Sequence, residues 1–450
     1  MSGDIFPKQL DAADAAERLR LIARDEFRRA ATPPPGTRAA GWNNLHAHSI
    51  YSFNPYDYSP AGLVWRARHA GLDVRGMVDF DVLDGMDELF AAGRAFGIKT
   101  VAGFETRVFV SDFADRVINS PGEPGVAYHL GLGFPATPLP PTLTPFLMRL
   151  RAASERRTRD IARRIAPALL PVRLEYESDV LPLTPAGNVT ERHLCLACSR
   201  KAAATLNLAD LATYWRERLG LDADPTDLPD GVDLQGRIRT RLMKQGGIGY
   251  VAPDGGSFPA LSETNRFIRE CGAVPTLAWL DGSSAGEQSP DALLDFAIAS
   301  GTAAVNLIPD RNFTPGVRNA KLDQMNAFLA AARRRDLPIV AGTEMNSPGN
   351  KFVDDFNAAE LAPFLPDFRR GARIFFAHTV LQTRARAGLL SAWALSAFRS
   401  AADRNDFFEE MGRILPPGSA GLRPARPFPA TPVDWLDEAR RLAADAGCPA

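Results

Sequence analysis

The chain has few of the residues that usually carry reaction chemistry. Among 450 residues there are six histidines and four cysteines. No stretch approaches the roughly 18 consecutive apolar residues that span a bilayer. The opening residues 1–8 lack the charged-then-apolar order of a secretory signal. A cytoplasmic protein without membrane contact is expected. The formal net charge of −1 provides no overall attraction to nucleic acid, so nothing supports a nucleic-acid partner. Cys195 and Cys198 form one Cys-x-x-Cys with no second pair to complete a zinc site, while Cys271 and Cys448 stand alone. Cys195 and Cys198 follow His193 in a segment of helical pattern and read as core or helix-surface thiols. The glycine clusters at 246–249 and 254–256 mark turns, because no Gly-Lys-Ser/Thr or strand-to-helix context makes them a nucleotide loop.

What is present is the make-up of an ordinary globular protein, 45% hydrophobic and 23% charged. Residues 1–32 pattern as a helix, closed by the proline run at 33–36. From residue 41 short apolar runs alternate with segments of helical period. Strands are predicted near 42–45, 74–78, 98–101 and 107–110, and helices at 60–70 and 86–96. Strands alternating with helices of about ten residues argue for parallel β/α units. The rhythm stops after residue 135, where helices follow one another: 146–165, 193–206, 208–219 and 234–244. It resumes near 262, with strands at 274–279, 303–308, 338–343 and 373–377. The expected organisation is an N-terminal helix and proline-rich linker (1–40), a first barrel segment (41–135), a mostly helical insertion (136–260), a second barrel segment (261–400) and a helical tail (401–450).

The scarce histidines are placed informatively. His46 and His48 are two apart at the end of a predicted strand, so both imidazoles share one side of an extended chain. At the C-terminal end of a barrel strand both face the mouth where active sites form. Two such imidazoles suit Zn, Mn or Fe, against the bland reading of a solvated pair in a turn. Acidic residues end other strands in the same way: Asp79 and Asp81, Glu105, and Glu344. Each alone reads equally as a helix N-cap; together with the histidines they converge on one rim.

Several short motifs, in order, resemble the polymerase and histidinol phosphatase (PHP) superfamily. Asn44-Leu45-His46-Ala47-His48-Ser49, with Ser52 beyond it, is similar to the family's opening Asp-Leu-His-x-His-Thr/Ser. Val78-Asp79-Phe80-Asp81 is similar to Thr-Asp-His-Asp, Gly103-Phe104-Glu105 to Gly-x-Glu, and Tyr128-His129-Leu130 to x-His-Leu. The stretch 272–281 resembles Gly-x-x-Pro-x-x-Ala-His-Pro, and 338–346 the closing Pro-x-x-x-Gly-Ser-Asp-x-His. The resemblance covers about residues 41–135 and 262–360. It implies an α/β fold, a distorted (β/α)7 barrel, with one to three divalent metals (Mn, Zn or Fe) at the rim and His46, His48, Glu105, His129 and Glu344 as their ligands. It also implies hydrolysis of a small phosphorylated molecule or nucleotide, in which metal-lowered water pKa supplies a hydroxide for attack on phosphorus. Phe80 and Trp279 stand where the family has ligand histidines, and Asn346 replaces its last one. Asp81 or Asp79 is a substitute beside Phe80, and Asp281 one beside Trp279. His193, from the insertion, is a candidate to sit over the metals, with a helix-end surface residue as the alternative. Arg311, after the strand at 303–308, is a candidate for holding phosphoryl oxygens, as are Arg107 and Arg192. His378 reads more readily as a hydrogen-bonded core histidine. Two rival functions keep the barrel: a ligand-binding or regulatory module with a depleted metal site, and an amidohydrolase-like hydrolase of C–N or C–O bonds.

Overall fold

The computed structural model describes residues 5–34, 37, 41–228, 231–253, 256–313, 320–419 and 431–447. Cys448 and the end of the expected linker, Pro35 and Gly36, lie outside them. Seven strands form one sheet in sequence order: β1 (Asn43–Asn44), β2 (Val74–Phe80), β3 (Lys99–Phe109), β4 (Val126–Leu132), β5 (Val274–Trp279), β6 (Ala304–Leu307) and β7 (Ile339–Ala341). The residues just beyond β1 and β7 bring its two edges together. Leu45 N–H donates to Ala341 O (2.9 Å), Glu344 N–H to His46 O (2.9 Å) and His48 N–H to Glu344 O (2.8 Å). The α/β barrel with a mostly helical insertion is therefore the architecture of the chain.

Its distortion lies in the middle. β4 runs antiparallel to both β3 and β5, whereas the other neighbours pair in parallel. A parallel return needs a long crossover. Between β3 and β4 the chain has only residues 110–125, with a single three-residue 3-10 turn, Ser111–Phe113. The segments expected as two strands near 98–101 and 107–110 are one strand, β3. The apolar run at 373–377 is no strand either. It lies inside the 21-residue helix Leu365–Ala385, where Ile374, Phe375, Phe376 and Ala377 are all buried. A helix buried on every side loses the alternation that would reveal it. The expected single N-terminal helix is three: Ile5–Ala12, Ala15–Ile22 and Asp25–Ala30.

The insertion packs its own core from Thr144–Ile165, Glu191–Thr205, Leu208–Leu219 and Val232–Ile238. Ile161, Ile165, Leu194, Trp215 and Ile238 meet there, together with Cys195 and Cys198. Burial pushes the Cys195 thiol up to about 12, which fits an inert core residue. No helix among the described residues is long and apolar enough to cross a membrane.

One buried acid ties two rim loops together. Asp354 Oδ1 accepts the backbone N–H of Asp310 (3.1 Å), while Oδ2 has no partner. Burial, and then the nearby Asp310 charge, raise its pKa from 3.8 to about 8, with Lys351 pulling the other way. The folded state thus keeps a proton that the unfolded chain releases. Stability is expected to fall as pH rises from about 4 to 8, by at most about 1.4 kcal/mol per pH unit. In Asp354→Asn this slope should flatten. Urea denaturation at intervals from pH 5 to 8 checks it, and parallel curves for the two proteins would refute the assignment.

Candidate metal centre

The site begins with the alternation just past β1. Leu45 and Ala47 enter the core, so His46 and His48 project from the opposite side, and both are fully buried. Each ring is oriented through Nδ1. His46 Nδ1 lies 2.7 Å from Asn306 Oδ1, on β6, and donates to it. His48 Nδ1 lies 3.0 Å from Ser52 Oγ. The Ser52 hydroxyl donates to Asp79 Oδ1 (2.7 Å), so its oxygen accepts from His48 Nδ1. Asp79 is anchored in turn by the Ser49 N–H and Oγ–H, each at 2.7 Å.

Nε2 of each ring is thereby turned into the site, a lone pair in the neutral imidazole and a proton toward Glu105 in the charged one, and both atoms are buried without a complete hydrogen bond. They face one carboxylate. Glu105 Oε2 is 3.7 Å from His46 Nε2 and 3.2 Å from His48 Nε2. The three donor atoms lie within 4.8 Å of one another. Burial disfavours the Glu105 charge, yet His46 and His48 outweigh it and hold the carboxyl down at about 2. His46 responds in kind: burial lowers its pKa, but Glu105 and then Glu344 raise it on balance. Two buried imidazole nitrogens beside a carboxylate, each ring fixed by an outer hydrogen bond, fit a divalent ion.

The remaining predicted residues divide. Glu344 lies at the edge of the cluster, where its Oε2 accepts from Arg311 (3.0 Å). It has φ +61° and bridges Ala47 across the barrel seam. Asp81 stands on the wall of the adjoining cavity, accepting from Thr106 Oγ1 (2.6 Å), and burial lifts its carboxyl to about 6. His129 does not join the cluster. In the antiparallel register it pairs with Thr106, the position after Glu105, and so takes the opposite face. Its Nε2 donates outward to Asn265 Oδ1 (2.6 Å), on the helix Leu261–Glu270. Tyr128, not His129, faces the cavity.

His193 is likewise engaged elsewhere: the Thr190 N–H donates to its Nδ1 (3.0 Å) at the start of the helix Glu191–Thr205, and Phe53 packs edge-on against its ring. Burial lowers its pKa to about 3. Trp279 stacks on Phe328 in the outer core, and Asp281, beyond it, pairs with Lys321. His378 Nδ1 accepts the Leu389 N–H, a buried structural bond. Phe80 lies flat on His48, with ring centroids 4.3 Å apart, and fixes the imidazole plane where the resemblance has a further ligand. Sequence reasoning missed Asn306. The signal was there, a lone polar residue in the apolar run Val305-Asn306-Leu307.

The cluster opens into a cavity of about 1090 Å³ between the barrel rim and the insertion. Its charged lining leans positive, with six arginines and Lys244 against five carboxylates among the described residues.

No family model matches this sequence, and no curated protein matches it. Solved structures do. An amidohydrolase from Chromobacterium violaceum, with bound sulfate and no metal, is 18% identical over 70% of this chain and 92% of its own, with a TM-score of 0.48. A protein from Bifidobacterium adolescentis, provisionally named a metal-dependent phosphoesterase, is 18% identical over 74% of this chain and 97% of its own, with a TM-score of 0.49.

Proposed function

We propose that this chain is a metal-dependent hydrolase of the PHP kind, acting on a phosphoester of a small phosphorylated molecule. The observation that carries this reading is the pair of buried Nε2 atoms, without a complete hydrogen bond, that face Glu105 at the foot of a cation-rich cavity. His46, His48 and Glu105 would hold the ion, and a set of two nitrogens and one carboxylate suits Zn, Mn or Fe. Such an ion supplies Lewis-acid activation of water.

The chain's own residues do the rest. Arg311, on the cavity wall and steadied by Glu344, holds phosphoryl oxygens and the charge that builds on them. Asp81, steadied by Thr106, is the wall carboxyl placed to hand a proton to the departing oxygen. Asn306, Ser52 and Asp79 keep the imidazoles in the tautomer that leaves Nε2 free. Phe80 keeps water from the inner face of His48. A second reading is favoured by that same Phe80, which takes a donor's place: a depleted centre that binds an anionic ligand without turning it over.

Elemental analysis of protein purified without a histidine tag, followed by a panel of phosphomonoesters, amides and lactones, separates these. About one divalent ion per chain is expected from three donors, with phosphate released from at least one ester. Turnover of amides or lactones alone would replace the phosphoester reading with the amidohydrolase-like one. A protein that takes up no metal after reconstitution would leave the binding module.

A further inference from the structure

The insertion turns an unusual face to the cavity. Arg157, from the helix Thr144–Ile165, meets Arg239 and Lys244, from the segment after Val232–Ile238, and Arg107, from β3. Two carboxylates answer these four cations among the described residues. Glu191 takes Lys244 (2.8 Å), Arg239 (3.1 Å) and, more distantly, Arg157 (3.7 Å). Glu123 takes Arg107 (3.2 Å) and Arg157 (3.5 Å). The cluster therefore holds more positive than negative charge, with Arg107 and Arg157 mostly buried and Arg239 and Lys244 half-buried. Arg157 Nε is buried with no partner at all. Burial and the Arg239 charge keep Lys244 below the usual lysine range despite Glu191; burial and Arg107 do the same to Arg157. A purely structural ion network tends toward balance, because an uncompensated buried cation costs several kcal/mol. The Arg107 guanidinium also lies over the Phe258 ring at 4.3 Å, which holds it in place at the cavity wall.

We infer that Arg107, Arg157, Arg239 and Lys244 form an anion subsite on the insertion side of the cavity, separate from the His46–His48–Glu105 cluster. It takes a phosphate or carboxylate group that belongs to the same molecule as the scissile ester. That identity of the occupant rests on the hydrolase reading; the subsite itself does not. Glu105 and Arg107 are two residues apart on one strand face, roughly 7 Å along β3. The molecule selected thus carries its second anion at about that distance or beyond from the reacting group. Glu191 occupies the cations meanwhile and competes with the ligand.

The test is calorimetric titration of inorganic diphosphate into metal-free protein in chelator, where no turnover occurs. The wild type is expected to bind it, and His46→Ala/His48→Ala to bind it equally well. Arg239→Gln/Lys244→Gln should weaken binding at least tenfold. Glu191→Gln should tighten it, because the cations that Glu191 engages are then left to the ligand. Because removing two cations strands Glu191, the triple variant Arg239→Gln/Lys244→Gln/Glu191→Gln serves as the folded control, verified by thermal melting, and should bind as weakly as the double. No binding by the wild type, or binding lost with the histidines and kept without Arg239 and Lys244, overturns the subsite. Binding that behaves as expected in a protein without metal or turnover would instead sink only the hydrolase reading.

Discussion

Replacing His46 and His48 together by alanine is expected to empty the centre of metal and to lower phosphoester turnover by more than about 10³-fold. Lewis-acid activation contributes several kcal/mol to such a transition state, and each 1.36 kcal/mol is a factor of ten. The same change should also destabilise the protein, for a separable reason. Glu105 is buried, and its charge is tolerated because the two imidazoles hold its pKa at about 2. Without them the carboxylate is stranded, and breaking a buried pair of this kind costs about 3–5 kcal/mol. Adding Glu105→Gln removes the stranded charge. The triple variant should recover most of the lost stability and none of the metal or turnover. Elemental analysis, phosphate release and urea denaturation on the three proteins separate the two roles. A double variant with wild-type metal content and turnover would refute the centre outright.

How much of this was legible in the sequence depends on which interactions set each feature. His46-Ala47-His48 was legible because strand alternation is local: two residues apart means one side of the chain, and the structure puts both rings against Glu105. Glu105 was expected as an acid ending a strand at 98–101; it lies inside β3 (Lys99–Phe109), and its side of that strand, not a strand end, brings it to the histidines. The helix Met86–Phe96 and the strand Val274–Trp279 fall where the apolar pattern put them. The failures concern long-range choices. Whether His129 faces the cavity or the helices depends on the register of β4 against β3, and an antiparallel register pairing His129 with Thr106 sends it outward. No local pattern contains that register. The run at 373–377 misled because burial on all sides erases periodicity. The basic lining of the insertion was invisible for another reason. Arg107 was a candidate for phosphoryl oxygens by itself, but Arg157 and Arg239 read singly as surface arginines, and the three become a cluster only when the helices fold over the barrel mouth.

The seam that closes the barrel also sets the metal centre, and one glycine carries both. A Cβ on Gly342 would lie 2.4 Å from His46 N, 2.5 Å from His46 Cβ and 2.6 Å from Asn44 Oδ1. Two of these belong to the chain carrying the ligand. Asn44 Oδ1 itself accepts the His46 N–H (3.0 Å). The backbone on either side is pinned by the seam bonds at Leu45, Glu344 and His48, so the crowding has no flexible side chain to absorb it. Gly342→Ala must push the β1 and β7 segments apart. Overpacking of this sort costs about 1–3 kcal/mol. The larger consequence is geometric, since moving His46 shifts Nε2 relative to Glu105 and Nδ1 relative to Asn306. A loss of at least tenfold in metal affinity is expected, on the scale of a disrupted outer-sphere contact. Gly236→Ala is the matched control. Nothing lies within 4 Å of its Cβ position, and it sits inside the helix Val232–Ile238. There, alanine should leave metal affinity unchanged and raise stability by up to about 1 kcal/mol. If Gly342→Ala binds metal as tightly as Gly236→Ala, the close approach at Gly342 does not position the centre, and the Asn306 and Asn44 contacts suffice to hold His46.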